Sequence, residues 1–255
     1  MSAAQGGTAP QGVIVTGASF GIGRAVARAF AARGAGVLAV GRTGSALAET
    51  AGDRPRIRTM EADVTDEDAP ARIVDTAVRF FGGVDVLVNN AAVSAYGGLR
   101  ETGREKVTEL VETNLVAPVM LTRQALDALE RRRGTVVNVS SSGSRGSRAW
   151  PGAGVYGASK AALDFLTRTW AVELAPRGIR VVGVAPGVVD SGGAVRAGMP
   201  ADAYRGLLSS MGSRAPAGRV GTVEEVASWV TWLAGPDAAY ATGVTVPVDG
   251  GLSLT

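Results

Sequence analysis

The chain has 255 residues, 46% of them hydrophobic and 19% charged, with a formal net charge of +3. That length buries a full core in one large α/β domain or two small ones, and no basic block is long enough to track a phosphate backbone, which excludes nucleic acid as a partner. Cysteine and histidine are both absent, which removes disulfides, thiol nucleophiles, Cys/His metal sites and every imidazole proton relay.

Residues 1–11 are small and polar. They read as a flexible tail without the apolar segment of a signal peptide. No apolar run approaches membrane-spanning length. The expectation is a cytoplasmic protein with no membrane partner.

Gly12 to Thr16 is a short β-branched run of the kind that forms a buried parallel strand. It runs into Thr16-Gly-Ala-Ser-Phe-Gly-Ile-Gly23, and a helix is predicted over 24–33, closed by Gly34. A strand, a glycine turn and a helix start make a phosphate cradle. Gly17 permits the tight turn, and Gly21 and Gly23 let the backbone approach a pyrophosphate at the positive helix end. Gly17-Ala-Ser19-Phe-Gly21 also fits the nucleophile elbow of hydrolases. An elbow serine needs a histidine base, so that reading fails.

The second strand is predicted over 36–40 and ends in Gly41-Arg42-Thr43, with no acid until Glu49. An acid here would suit the ribose 2′-hydroxyl of NAD, whereas an arginine suits the 2′-phosphate of NADP. Arg42 therefore favours NADP(H) and leaves NAD(H) as the alternative. A third strand over 57–60 leads to Asp63, either an acceptor for an adenine amine or a turn residue, and Asp66 is the expected cap of a helix through Phe81. The fourth strand, 84–88, delivers Asn89-Asn-Ala-Ala92 to the carboxyl edge of the sheet, where Asn90 either bridges strands or touches the cofactor.

A helix is predicted from about residue 101 to 129. Asn114 near its middle is a poor interior residue and predicts a local distortion or a polar role. Arg131-Arg-Arg133-Gly134 closes it with cations at the negative dipole end. The fifth strand, 135–139, contains the sequon Asn138-Val-Ser140, which its expected burial makes a chance match. Ser140-Ser-Ser142 leaves that strand. The next helix carries Tyr156-Gly-Ala-Ser-Lys160, with Arg177-Gly178 at its expected end. Residues four apart share a helix face, and a cation beside a phenol lowers its pKa from about 10 toward the working range. Such a tyrosine exchanges a proton with a substrate oxygen. A sixth strand over 179–184 ends at Pro186-Gly187, a turn suited to docking a nicotinamide carboxamide. A segment over 190–218 reads as a lid, followed by a helix over 224–233 and a last strand over 243–248. The alternation of strands and helices gives one doubly wound α/β domain over 12–255.

Taken together, Thr16-Gly-x-x-x-Gly-x-Gly23, Asp63-Val64, Asn89-Asn-Ala91, Asn114, Ser141, Tyr156-x-x-x-Lys160, Pro186-Gly187 and Val248-Asp-Gly-Gly251 resemble the short-chain dehydrogenase/reductase family, and within it the ketoreductases. The resemblance implies a Rossmann-type sheet of about seven parallel strands flanked by helices. It implies an oxidoreductase that interconverts a ketone and a secondary alcohol, with Tyr156 as general acid, Lys160 lowering its pKa, Ser141 on the substrate oxygen and Asn114 anchoring a water. Ser142 is the alternative serine. Cofactor contacts are implied for Gly17, Ser19, Phe20, Gly21, Ile22, Gly23, Arg42, Thr43, Asp63, Val64, Asn90, Ala91, Ala92, Tyr156, Lys160, Pro186, Gly187, Val189 and Ser191. Ser142, Arg148, Trp150, Tyr96 and Val188 are assigned to the substrate pocket, and no metal is expected. Family members commonly form tetramers, and apolar residues on more than one side of the Tyr156 helix, including Phe165 and Val172, give the expectation of a homo-oligomer, a tetramer or dimer. The substrate is a small ketone or alcohol, either free or bound to an acyl carrier.

Overall fold

The structure, a computed structural model, describes residues 12–145, 149–196 and 198–255. The first half alternates β1 (Gly12–Thr16), α1 (Gly21–Ala32), β2 (Gly36–Gly41), α2 (Gly44–Ala51), β3 (Ile57–Glu61), α3 (Ala69–Phe81), β4 (Val86–Asn89), α4 (Arg104–Val111) and α5 (Ala117–Arg132). The second half continues with β5 (Thr135–Val139), α6 (Gly154–Glu173), β6 (Arg180–Pro186), β7 (Val189–Asp190), α7 (Gly193–Arg196), α8 (Ala201–Arg214), β8 (Gly221–Thr222), α9 (Val223–Ala234) and β9 (Thr245–Val248). Seven strands form one sheet in the order β3-β2-β1-β4-β5-β6-β9, and every neighbouring pair is parallel. The Rossmann-type α/β fold is the one the motifs implied.

Strand side chains alternate between faces, so each strand feeds two cores. Val13, Val15, Val37, Ala39, Val137 and Val182 pack under Val26 and Phe30 of α1 and Val226 and Val230 of α9. Ile14, Leu38, Val40, Leu87, Val136 and Val181 face the other way, onto Ile73 and Val74 of α3 and Leu121 and Leu129 of α5. The connections reverse direction between β1 and β4, and a crevice opens there at the carboxyl ends of the strands.

Several boundaries differ from expectation for identifiable reasons. The predicted 101–129 helix is divided: α4 and α5 flank a π-helical segment, Glu112–Val116, in which the Ala117 amide returns to the Glu112 carbonyl. The distortion expected at Asn114 is therefore real. Asp66 does not cap α3; it closes a turn onto the Asp63 carbonyl, and the helix opens after Asp68 with Pro70 in its first turn. Pro176 halts α6 at Glu173, and a short 3-10 turn carries the chain to Gly178 at φ 72°. Gly243, at φ 70°, cannot begin a strand, so β9 starts at Thr245. Asn138 is fully buried. Its side chain accepts from Asn89 at 2.9 Å and donates to Thr167 at 2.9 Å, which disposes of the sequon.

The 190–218 segment contains α7 and α8. Its two ends are joined by a two-stranded ribbon, with Val189 paired to Gly221 and Asp190 to Thr222. The Tyr204 hydroxyl on α8 donates to Asp190 at 2.9 Å and accepts from the Gly192 amide at 3.1 Å, fastening the segment to its own root. Gly206 lies inside α8 with open space where a Cβ would stand. Gly206→Ala is expected to raise stability by about 0.5–1 kcal/mol in thermal unfolding, since it removes unfolded-state entropy without a clash.

Candidate active site

The glycine turn is built by close approach. Gly17 is left-handed at φ +65°, and a Cβ there would fall 2.8 Å from Ala91 Cα and from Asn90 Nδ2. Asn90 bridges the strands: its amide side chain donates to the Thr16 carbonyl at 2.8 Å, and its backbone N–H to the Thr16 hydroxyl at 3.0 Å. Ala91 N–H reaches the same hydroxyl at 3.0 Å. Thr16 is thus a hub between β1 and β4 that sequence reasoning missed; its place directly before the glycine turn was the available signal. Gly21 must also be small, because its Cβ would sit 3.1 Å from the Ser191 Cβ. No side chain caps the start of α1, whose cap residue is Phe20, so amides at this helix end are available to an anion.

Beside the turn lies a cavity of about 250 Å³ lined by Gly17, Ser19, Phe20, Gly41, Arg42, Thr43, Asp63, Val64, Ala91 and Ala92, with Val93 and Thr113, which sequence reasoning did not select. The Ser19 hydroxyl is buried and has no hydrogen-bond partner. A Cβ on Gly41 would lie 2.3 Å from that hydroxyl, so position 41 itself has no room for an acid. Arg42 is mostly exposed and meets Asp63 at 3.6 Å. Burial tends to raise the Asp63 carboxyl, but the Thr65 amide and hydroxyl, together with Arg42, hold it below the ordinary carboxylate value. Asp63 accepts from both Thr65 groups, at 3.0 and 2.8 Å, which makes it a turn residue as well as a cavity wall. An unmet buried hydroxyl, uncapped helix amides and a mostly exposed arginine around one crevice fit the phosphates and ribose of a dinucleotide.

Tyr156 and Lys160 lie on the first turns of α6. The Ser141 hydroxyl interacts with the phenol, and the Tyr96 ring stands 6.3 Å from that of Tyr156, tilted by 46°. Burial of the hydroxyl pushes the Tyr156 phenol up to about 12, reinforced by Tyr96 and opposed by the Ser141 hydrogen bond. This corrects the expectation that Lys160 lowers the phenol. The Lys160 ammonium turns inward and donates to the Val139 carbonyl at 2.9 Å. Burial in turn lowers Lys160 to about 8, with Asp164 opposing. For both groups burial is the largest cause of the shift.

Asn114 is fully buried in the π-helical segment. Its carboxamide clasps Val93, accepting from the amide and donating to the carbonyl, each at 2.9 Å, and it also donates to Ser159 at 3.1 Å. It therefore ties the loop after β4 to α6. Ser142 points away from this cluster: with Gly143, Trp150, Leu252 and Ser253 it lines a narrow crevice. Trp150 lies across Gly143, where any Cβ would strike its ring. Arg148 falls outside the described residues, as does the expected tail over 1–11. Pro186 ends β6, and a Cβ on Gly187 would fall 2.7 Å from Asp249 Cα, which requires glycine beside the Asp-Gly-Gly turn that follows β9. Val188 accepts from the Gly221 amide at 3.0 Å, Val189 and Ile22 pack against the core, and Ser191 stands over Gly21. Among the described residues no group of acidic side chains is arranged to hold a metal, and no helix is long and apolar enough to cross a membrane.

A parallel sheet with this crevice, glycine turn and tyrosine helix defines a nicotinamide-nucleotide oxidoreductase, and the chain belongs to the short-chain dehydrogenase/reductase family. The family model described as enoyl-(acyl carrier protein) reductase matches residues 17–253. The chain is 35% identical to 3beta-hydroxysteroid dehydrogenase 1 of Eggerthella lenta, over 95% of this chain and 93% of that one. It is 36% identical to the 3-oxoacyl-(acyl-carrier-protein) reductase FabG of Thermotoga maritima, over 94% and 97% respectively. Among solved structures, a Caenorhabditis elegans short-chain dehydrogenase/reductase of unknown function, solved with cofactor, superposes with a TM-score of 0.90 at 35% identity, covering 96% of each chain. The ligand-free aldohexose dehydrogenase of Thermoplasma acidophilum gives 0.86 at 31% identity, covering 96% of this chain and 94% of that one.

Proposed function

We propose that the protein is an NADP(H)-dependent reductase that interconverts a ketone and a secondary alcohol. The observation that carries this reading is the meeting of the Tyr156 phenol with the Ser141 hydroxyl beside Tyr96, one helical turn from Lys160. Bound nicotinamide nucleotide supplies or accepts the hydride. Tyr156 donates its phenolic proton to the substrate oxygen, and a phenol near 12 keeps that proton through the neutral range, which suits the reductive direction. Ser141 hydrogen-bonds the same oxygen and orients the carbon. Lys160 keeps a positive charge behind the phenol, and Asn114 holds Val93 and Ser159 in register and anchors the water of the proton path. The substrate side of the site is assigned to Tyr96, whose ring stands against Tyr156, with Trp150 and Val188.

The 2′-phosphate of NADP would lie against Arg42, Thr43 and the unmet Ser19 hydroxyl. NAD(H) has one observation in its favour, because Asp63 already engages Arg42. Arg42→Ala separates the two. It is expected to weaken NADPH binding about tenfold to a hundredfold, the loss of one charge-assisted hydrogen bond, with NADH affinity unchanged in parallel titrations. Equal loss for both nucleotides would remove the NADP assignment. A panel of ketones, including carrier-bound 3-oxoacyl thioesters, followed by NADPH oxidation tests the reaction itself; the likeness to 3-oxoacyl-(acyl-carrier-protein) reductases supports including the carrier-bound class. Phe165 and Val172, exposed on α6 at 61% and 78%, support a homo-oligomer, which light scattering checks.

A further inference from the structure

We propose that Asp164 is a positioning residue for the reaction: it anchors the loop that carries Ser141 and holds a negative charge one helical turn beyond Lys160. The proposal rests on the roles given above to Tyr156, Ser141 and Lys160. Tyr156, Lys160 and Asp164 follow one another at intervals of four on α6 and so share a face. Asp164 is only 4% exposed. A buried carboxylate is expensive unless several donors satisfy it, and this one is under-supplied. One oxygen, Oδ2, accepts from the Ser144 hydroxyl at 3.2 Å and lies 3.6 Å from the Arg145 guanidinium. The other, Oδ1, has no hydrogen-bond partner.

Ser144 is also the donor to the Ser141 carbonyl, at 2.6 Å. Its single proton is shared between that carbonyl and the carboxylate, so Asp164 and Ser141 are linked through one hydroxyl. If the loop were all that mattered, an asparagine would hold Ser144 as well and bury no charge. The charge acts in another direction. Lys160 is buried against the Val139 carbonyl of β5 and forms no ion pair among the described residues. The groups around this pair are Arg145 from the loop, Tyr156 on the same helix with Tyr96 against it, and Asn114 through Ser159 on the π-helical side. Of these only Arg145 is charged, and its side chain is one third exposed. The field of Asp164 therefore falls on Lys160, where it opposes the loss of the proton that burial favours.

The test uses the two lysines of the chain, Lys106 and Lys160. In protein labelled with 13C at lysine Cε, Lys106→Arg assigns the signals, and the Lys160 midpoint is read directly without coenzyme or substrate. In the wild type it is expected near 8, lowered by burial. Removing the negative charge favours the neutral amine, so Asp164→Asn is expected to move the midpoint to lower pH by about half a unit or more, and Asp164→Glu to restore it. The alkaline limb of kcat/KM for carbonyl reduction shifts by the same amount, while nucleotide affinity stays unchanged. Should Asp164→Asn not fold, Arg145→Gln decides instead: with the competing cation removed, the Lys160 midpoint rises. A midpoint that stays in place, or one that moves without moving the alkaline limb, overturns the proposal. Absence of any carbonyl turnover in the wild type would sink the reductase reading instead, and the lysine titration would still report whether Asp164 governs Lys160.

Discussion

Tyr156→Phe is expected to cut carbonyl reduction by about 10²–10⁴-fold, the contribution of a positioned general acid, while NADPH binding is largely retained because the glycine turn and Arg42 are untouched. Phenylalanine keeps the ring and its contact with Tyr96, so the fold has little reason to respond. What disappears is the hydroxyl that meets Ser141. The serine then keeps a hydrogen bond to the substrate oxygen and has no proton of its own to surrender at neutral pH. The substitution should therefore lower kcat with little change in KM, the pattern of an interaction made in the transition state. Loss of one neutral hydrogen bond costs about 0.5–1.5 kcal/mol of stability, which thermal unfolding would register as a small shift. Turnover above about a tenth of wild type would mean that another group supplies the proton, well outside the range for a lost general acid.

Gly23→Ala is expected to carry the largest cost among the glycines of the nucleotide turn. Gly23 lies in the first turn of α1, and its φ falls outside the left-handed region. Alanine suits that backbone and would ordinarily stabilise a helix by about 0.5–1 kcal/mol. Here the new Cβ would stand 2.2 Å from the Gly17 carbonyl oxygen and 2.5 Å from Asn90 Nδ2. The carbonyl is backbone and cannot rotate aside, and Asn90 is held by Thr16. Overpacking of this kind costs about 1–3 kcal/mol, so a net loss of stability in chemical denaturation is expected despite the better helix propensity. Relief of the clash would move Gly17 away from the phosphate cradle, and nucleotide affinity should fall along with stability. A variant as stable as wild type, with unchanged NADPH affinity, would show that the close approach has slack.

The fold was legible because its signals are local and repeated. Short runs rich in β-branched residues marked all seven strands of the sheet within a few residues, and Asn114 announced the break in its helix. Boundaries failed where a single residue decides them: Pro176 stopping α6, or the left-handed Gly243 delaying β9. The helix α2 and the β7–β8 ribbon were missed because each is short and lacks a pattern long enough to show a period. Within the site, spacing placed Tyr156 and Lys160 on one face, and the structure brings Ser141 and Tyr96 to the phenol. Spacing could not reveal how much water surrounds each group. The acidity of Tyr156 and Lys160 is governed by burial, a property of packing, which is why the expected lowering of the phenol is absent. Thr16 escaped notice for a related reason: its hydroxyl gains meaning only when β4 lies alongside.

The ribbon of Val189–Asp190 against Gly221–Thr222 brings the two ends of the segment that carries α7 and α8 to within one strand spacing of each other. An excursion whose ends already touch can change length at small entropic cost, since closing a longer loop adds only about 0.6 kcal/mol per doubling. Insertions, deletions or a transplanted segment between those two strands are then expected to leave the seven-stranded sheet undisturbed. For an engineer, the ribbon marks the natural cut points for exchanging this segment between related chains.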